Sequence, residues 1–280
     1  MSAVTTTTPL VNVPTPLIDE AASSWLSRFA ISQGTDLKTA LTFLELPAVR
    51  DIDTQMVGAL LTAVRLKCGL PGDALACHER VMSRLPELGS LSEGLLTTNH
   101  CGRPLTQFCR YCVYEMRTPY FPIHWRFSVW QWCPLHDCQL DIACPHCQTR
   151  PRTLVNIAET RAGKQGIANL NRCLHCSKQL GARIGTSPDP KKLADLRPEK
   201  QRRLANGRAL LAALYHGWFG MKDQTVKMPI SAIKEMATRD DFPRLPPHVN
   251  RYRPRTRQRE QPRWLVRHAT RLCSGDHGPG

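Results

Sequence analysis

No stretch of this chain approaches the roughly 18 consecutive apolar residues of a membrane-spanning helix, so none is predicted. Residues 1–16, rich in Thr and Pro, lack the basic start and apolar run of a signal peptide. Aromatic residues are only 6% of the sequence and 22 prolines punctuate it, which argues against one large core and for several small modules. A Gly-x4-Gly-Lys phosphate loop is missing, so the chain is not expected to hydrolyse ATP. The paired motifs of a nucleotide deaminase are missing too, since Cys77-His78-Glu79 and Cys144-Pro145-His146-Cys147 have the wrong order. Acidic residues are scarce beyond residue 100. Residues 1–100 hold 7 Lys/Arg against 10 Asp/Glu, whereas residues 101–280 hold 31 against 13, so the balance moves from −3 to +18. An excess of that size favours a polyanionic partner, nucleic acid above all.

Cysteine is plentiful, with 12 residues in 280. In the reducing cytoplasm expected for this chain, clustered pairs are metal ligands more readily than disulfides. Four two-ligand hooks follow one another: Cys109-x2-Cys112, Cys133-x2-His136, Cys144-x2-Cys147 and Cys173-x2-Cys176. Two hooks complete the closed tetrahedron of a structural zinc, so eight ligands predict two zinc ions, and loading them lowers the formal +15 to about +12. The hooks can be paired sequentially, interleaved or nested. Sequential pairing closes the shortest loops and is adopted: Cys109, Cys112, Cys133 and His136 in one site, Cys144, Cys147, Cys173 and Cys176 in the other. Cys101 and Cys138 are spare thiols, and His124, His146 and His175 flank sites that are already full. Four protein ligands leave no open position for catalytic water, so no enzyme is expected.

Ahead of the hooks the pattern is helical. Ala21/Ala22, Trp25/Leu26 and Phe29/Ala30 predict a first helix, with Asp19 and Glu20 favouring its start and Gly34 its end. A second is predicted from about Asp36 to Leu46, before Pro47. A third starts after Asp53, with Val57, Leu60, Leu61, Val64 and Cys68 on one stripe and Gly69 closing it. Pro71 opens a fourth, where Leu75, His78, Met82 and Leu85 share a face. The tight Gly69-Leu70-Pro71-Gly72 joint has the outline of a helix-turn-helix or of a plain helical hairpin. With only Arg80 and Arg84 on the fourth helix, the region has few cations for direct DNA reading.

The hook region itself is predicted as short strands, knuckles and loops. Residues 119–132 carry three tryptophans, Trp125, Trp130 and Trp132, read as a miniature core in preference to a base-stacking platform. Beyond the hooks, Pro198 opens a helix with Leu204, Leu211, Leu214 and Trp218 on one side and Lys200, Arg202, Arg203 and Arg208 along it; a shorter helix is placed near 231–237. In the tail, Arg251, Arg253, Arg255, Arg257 and Arg259 alternate with other residues and Arg263 follows, a spacing able to track a phosphate backbone.

The hooks lie in distinctive wording: Cys109-Arg110-Tyr111-Cys112, Pro119-Tyr120, Trp125, Cys133-Pro134-Leu135-His136 with Leu140, and Cys144-Pro145-His146-Cys147, after a helix containing Ser23-Ser24-Trp25-Leu26. Over about residues 17–180 this resembles the TniQ family of transposition proteins. The resemblance implies a target-site selector working with an AAA+ ATPase regulator and a transposase. Some members bind an attachment site directly; others dock on an RNA-guided CRISPR effector complex of a CRISPR-associated transposon. The region after Cys176 is short for the site-specific readers, which favours the adaptor type. Nucleic acid (DNA or guide RNA) and, in a homodimer, a second copy complete the expected partners, with no membrane and a nucleoid-associated location in the bacterial cytoplasm.

The expected fold is mainly α with small zinc-bound modules. Its parts are a flexible lead (1–16), a helical, helix-turn-helix-like domain (17–98), a tandem zinc-finger region (99–188), a C-terminal helical module (189–245) and an Arg-rich tail (246–280). The expected function is transposon target selection by an adaptor; the alternative is a free-standing zinc-finger and helix-turn-helix transcription regulator.

Overall fold

The computed structural model describes residues 10–92, 94–154, 169–182, 197–220 and 227–232, and among these the protein is helix-rich with few strands. Helix α1 (Ala22–Ser32) forms where Ala22, Trp25, Leu26, Phe29 and Ala30 recur at helical spacing, and all five are buried. Gly34 ends it in the left-handed region (φ 62°), while the Thr35 amide donates to the Ala30 carbonyl at 3.0 Å. Asp19 and Glu20 do not serve the helix start as expected; both turn inward. Asp19 accepts from the Tyr120 hydroxyl at 2.8 Å, and Glu20 is clasped by Arg28 at 2.5 Å and by Ser24 Oγ at 2.9 Å. Of the lead expected over residues 1–16, residues 10–16 lie against this helix: Trp25 Nε1 donates to the Pro14 carbonyl at 2.8 Å, and Leu10 and Val13 join the apolar cluster beneath. Residues 1–9 lie outside the described residues.

Helix α2 (Leu37–Phe43) is capped by Asp36, whose carboxylate accepts the Thr39 amide at 2.9 Å. It stops short of the predicted end at Leu46 because Glu45 takes a left-handed conformation (φ 57°). The one helix predicted after Asp53 is two, α3 (Ile52–Gln55) and α4 (Gly58–Lys67), broken at Met56 and Val57. The cause is long-range. Asp53 receives the Ser23 amide at 2.8 Å, the Ser23 hydroxyl at 2.9 Å and Arg126 Nε at 2.9 Å, which pins α3, and Gly58 (φ 56°) redirects the chain. Helix α5 (Ala76–Met82) starts at Ala76, not at Pro71, because Leu75 is left-handed (φ 59°). The α4–α5 connection therefore spans residues 68–75 and is longer than the tight four-residue joint expected.

A 3-10 segment (Leu85–Ser92) leads to α6 (Arg110–Glu115), a helix that the prediction of strands and loops omitted. A second 3-10 turn (Ile123–Arg126) precedes the hairpin of β1 (Trp132–Cys133) and β2 (Cys138–Gln139), in which Cys133 faces Cys138. The long helix α7 (Arg197–His216) packs on α5. From Gly207 to Tyr215 every residue is buried, Arg208 included, so this stretch is sheathed all round and does not show the one-sided stripe expected. The side chains of Lys200, Arg202, Arg203 and Leu204 lie outside the described residues. Gly217 (φ 78°) turns the chain into β3 (Trp218–Gly220), antiparallel to β4 (Lys227–Pro229), so Trp218 belongs to a strand and not to the helical stripe. Residues 233–237 of the helix placed near 231–237 lie outside the described residues.

Two apolar clusters result. One joins α1 to α4 and ends at Leu75; the other takes α5, the aromatic segment, the cysteine hooks, α7 and β3. Arg126 is the rivet between them. Fully buried, it ion-pairs with Asp53 and Asp51, which flank Ile52 of the first cluster, and donates to the Thr97 and Leu105 carbonyls beside the aromatic segment.

Candidate metal centre

Three of the four hooks share one backbone device. After Cys133, Cys144 and Cys173 the residue four places on is left-handed: Asp137 (φ 50°), Gln148 (φ 60°) and Ser177 (φ 61°). In the last two, that residue's amide donates to the first cysteine's carbonyl at 2.9 and 2.8 Å, and the cysteine's own amide donates to Thr149 O at 2.9 Å and Lys178 O at 2.8 Å. This knuckle turns both ligand side chains to one side. The Cys109 hook differs, being the N-terminus of α6, where Cys109 Sγ accepts the Cys112 amide at 3.5 Å.

The hooks meet in sequential pairs. Cys109, Cys112, Cys133 and His136 form one group and Cys144, Cys147, Cys173 and Cys176 the other, with all donor atoms of a group within 4.8 Å of one another. In the first, Cys112 Sγ lies 3.6 Å from Cys133 Sγ, and His136 Nδ1 lies 3.5, 3.2 and 3.6 Å from the sulfurs of Cys109, Cys112 and Cys133. In the second, Cys144 to Cys176 is 3.8 Å and Cys147 to Cys173 is 3.6 Å. A tetrahedral ion with metal–sulfur bonds of about 2.3 Å sets its sulfurs about 3.8 Å apart, so both groups are sized to hold a metal ion.

Supporting contacts orient the donors. His136 Nε2 lies 2.9 Å from the Glu115 carboxylate, which fixes the tautomer and aims Nδ1 at the sulfurs. Arg110 forks onto Asp141 at 2.9 and 2.5 Å and ties the first hook to the chain entering the third. His146 Nε2 reaches the Gln179 carbonyl at 3.1 Å, joining the two hooks of the second group. Gly181 passes so close to α6 that a Cβ there would meet the Tyr114 amide nitrogen at 2.7 Å. Proton sharing and burial split the thiols of each group. The Cys112 thiol holds Cys109 below the usual thiol range while Cys112 itself is pushed up, and the Thr149 hydroxyl brings Cys147 down to about 6 while burial pushes Cys144 up and Cys173 up to about 12.

Of the spare thiols, Cys101 is exposed and belongs to neither group, whereas Cys138 Sγ stands 3.6 Å from Cys109 Sγ at the edge of the first. His124 is buried against Trp130, with ring centroids 4.9 Å apart, and His175 lies exposed beside the second group. Trp125, Trp130 and Trp132 are all buried, so residues 119–132 form core and offer no stacking platform. Arg251, Arg253, Arg255, Arg257, Arg259 and Arg263 lie outside the described residues.

Nothing in the local sequence signals the roles of Arg126, Arg80 and Arg84. Arg80 Nη1 donates to the Tyr215 hydroxyl at 2.6 Å, and Arg84 Nη1 donates to the Leu214 and Tyr215 carbonyls at 2.9 and 2.7 Å, closing the C-terminus of α7. These partners on α7 lie 130 or more residues away along the chain.

No curated protein matches the chain. The TniQ family model matches residues 12–140, the span from the packed lead through the first group of donors to β2. Over these residues, a little under half of the chain, the protein is similar to the TniQ family, and the match supports a TniQ family protein.

Proposed function

We propose that this protein is a target-selection adaptor of a transposon, linking an RNA-guided target-recognition complex to an AAA+ regulator and the transposase. Two structural zinc ions hold its fold, and it carries out no chemistry itself. The observation that carries this reading is the fate of Arg80 on α5 and of Arg84 just past its end. Arg80 and Arg84, the cations that the predicted fourth helix offered to a major groove, are both bonded to α7, and a seven-residue helix whose cations are so engaged is a poor DNA reader. The slightly acidic first hundred residues then suit protein contact, and the strongly basic remainder suits nucleic acid or a nucleoprotein complex.

Both donor groups supply four protein ligands, a complete set for structural zinc. No helix among the described residues is long and apolar enough to cross a membrane; a place in the bacterial cytoplasm, at the nucleoid, is part of the proposal. The tail, residues 246–280, is assigned to sequence-independent phosphate contact. Its deletion should flatten the salt dependence of duplex binding by about 0.9 log units for every phosphate the tail neutralises.

The adaptor reading is tested by pull-down of the full chain with the AAA+ ATPase and the RNA-guided complex of the same element, alongside a titration with random duplex DNA. Retention of the ATPase supports it. Tight sequence-specific duplex binding by the isolated protein, with no affinity for either partner, would establish the free-standing regulator instead.

A further inference from the structure

Beside the second donor group lies a cavity of about 260 Å³ whose rim carries Arg150, Arg152 and Arg172 and whose floor is built by Phe121, Leu170 and Leu180. The backbone bearing these arginines is fixed by pairing. Leu105 bridges Arg152, Arg172 bridges Gln179, and the Thr106 amide donates to the Pro151 carbonyl at 3.1 Å. Arg150 and Arg152 are exposed; Arg172 is half-buried and donates through Nη1 to the Ser177 carbonyl at 3.0 Å.

The charge here is one-sided. Among the described residues no carboxylate lines the cavity, and residues 142–154 and 169–182 contain no Asp or Glu. None of the three arginines forms an ion pair among the described residues. Four thiolates around a dication would leave two negative charges nearby. Yet the side-chain bond that anchors Arg172 goes to a carbonyl and not to a sulfur, and three arginines with Lys178 outnumber that residual charge.

We infer that this cavity binds a phosphodiester of an unpaired nucleic-acid strand. Guanidinium forks match phosphate oxygens, and arginine keeps its charge at any physiological pH. The apolar floor beneath the cations decides the form of the strand: an unpaired nucleotide presents a phosphate and an apolar face together, whereas a duplex keeps its bases stacked inward. An acidic protein segment would meet the cations but has no use for that floor. Phe121 lies within the TniQ match at 12–140 and the other five residues lie beyond it, and the inference does not rest on the adaptor reading.

The test uses the full-length, metal-loaded protein with fluorescent oligothymidylate, oligouridylate and duplex DNA, and polyglutamate as a competitor, comparing wild type with R150Q/R172Q and with R150Q alone. Metal content monitors folding; should R172Q release metal through its contact with Ser177, the R150Q variant carries the test. Expected is about a tenfold loss of affinity for the unpaired strands in the double variant, with a salt slope lower by about 0.7 for each phosphate that is no longer neutralised. Equal losses on oligothymidylate and oligouridylate assign the shared phosphodiester; a loss on one alone identifies DNA or RNA as its source. Unchanged affinity and slope on both unpaired strands, a loss confined to the duplex, or a loss confined to polyglutamate would each overturn the inference.

Discussion

Glu115 is exposed and touches no sulfur, yet it sets the orientation of His136 through the bond at 2.9 Å. Partners of this kind shift metal affinity by about 10- to 100-fold. Glu115→Ala should therefore lower zinc affinity of the first group by that factor and leave the second unchanged, as read by competition with a chromogenic chelator. Two titratable groups near the junction of the clusters act with opposite sign. His78 is buried, its Nδ1 accepting the Ala22 amide at 3.2 Å, and burial holds its pKa below the ordinary value. Its contribution is whole above about pH 6.5 and is lost as pH falls. Asp51 is pushed up to about 6 by burial, with Arg126 opposing. That contribution is whole below about pH 4 and is lost as pH rises through about 6, by no more than about 3 kcal/mol. His78→Asn keeps an acceptor and Asp51→Asn keeps the α3 cap. On passing from about pH 7 to 5, the Tm of His78→Asn should fall less than that of wild type and the Tm of Asp51→Asn should fall more.

At the scale of elements, the packing of α5 on α7 carries the functional argument. Arg84 satisfies the Leu214 and Tyr215 carbonyls at the C-terminus of α7, and a Cβ at Gly217 would meet Arg84 Nε at 2.7 Å, so the guanidinium fills the space that the glycine leaves. Arg84→Ala should cost about 1–3 kcal/mol, visible as a lower urea midpoint, because it leaves those carbonyls without their donor. The salt slope for duplex DNA should stay at the wild-type value. A lower slope would return Arg84 to phosphate binding and reopen the helix-turn-helix reading.

For the whole molecule, the metal groups are the parts of the second core that substitute for apolar mass. Buried Cys109, Cys133, Cys144 and Cys173 are continuous with Trp125, Trp130 and α7 in one cluster, so losing an ion loosens a shared core. Elemental analysis should find two zinc ions per chain. Cys144→Ala should leave one and lower the melting transition, whereas two ions retained in that variant would remove Cys144 from the ligand set. Strong chelation should unfold the second cluster ahead of the first, because the α1–α4 helices pack on Trp25, Phe29 and Leu61 and contain none of the eight donors.

The sequence alone determined whatever depends on short spacing. The ligand hooks were legible because a tight turn needs only four residues, and α1, the start of α2 near Asp36 and the Gly69 stop because helix signals are local. Loop-closure entropy lent the sequential pairing a slight edge, and the donor atoms gather in those same two groups. Tertiary structure decided the rest. Asp53 breaks the expected third helix because Ser23 and Arg126, 30 and 73 residues away, claim its carboxylate. Arg80 and Arg84 are tied to a helix 130 or more residues on. The cations at 150, 152 and 172 converge on one cavity only because two knuckles fold back on each other. A buried charge is placed by its partner, and the partner's position is a property of the fold, invisible to periodicity or spacing.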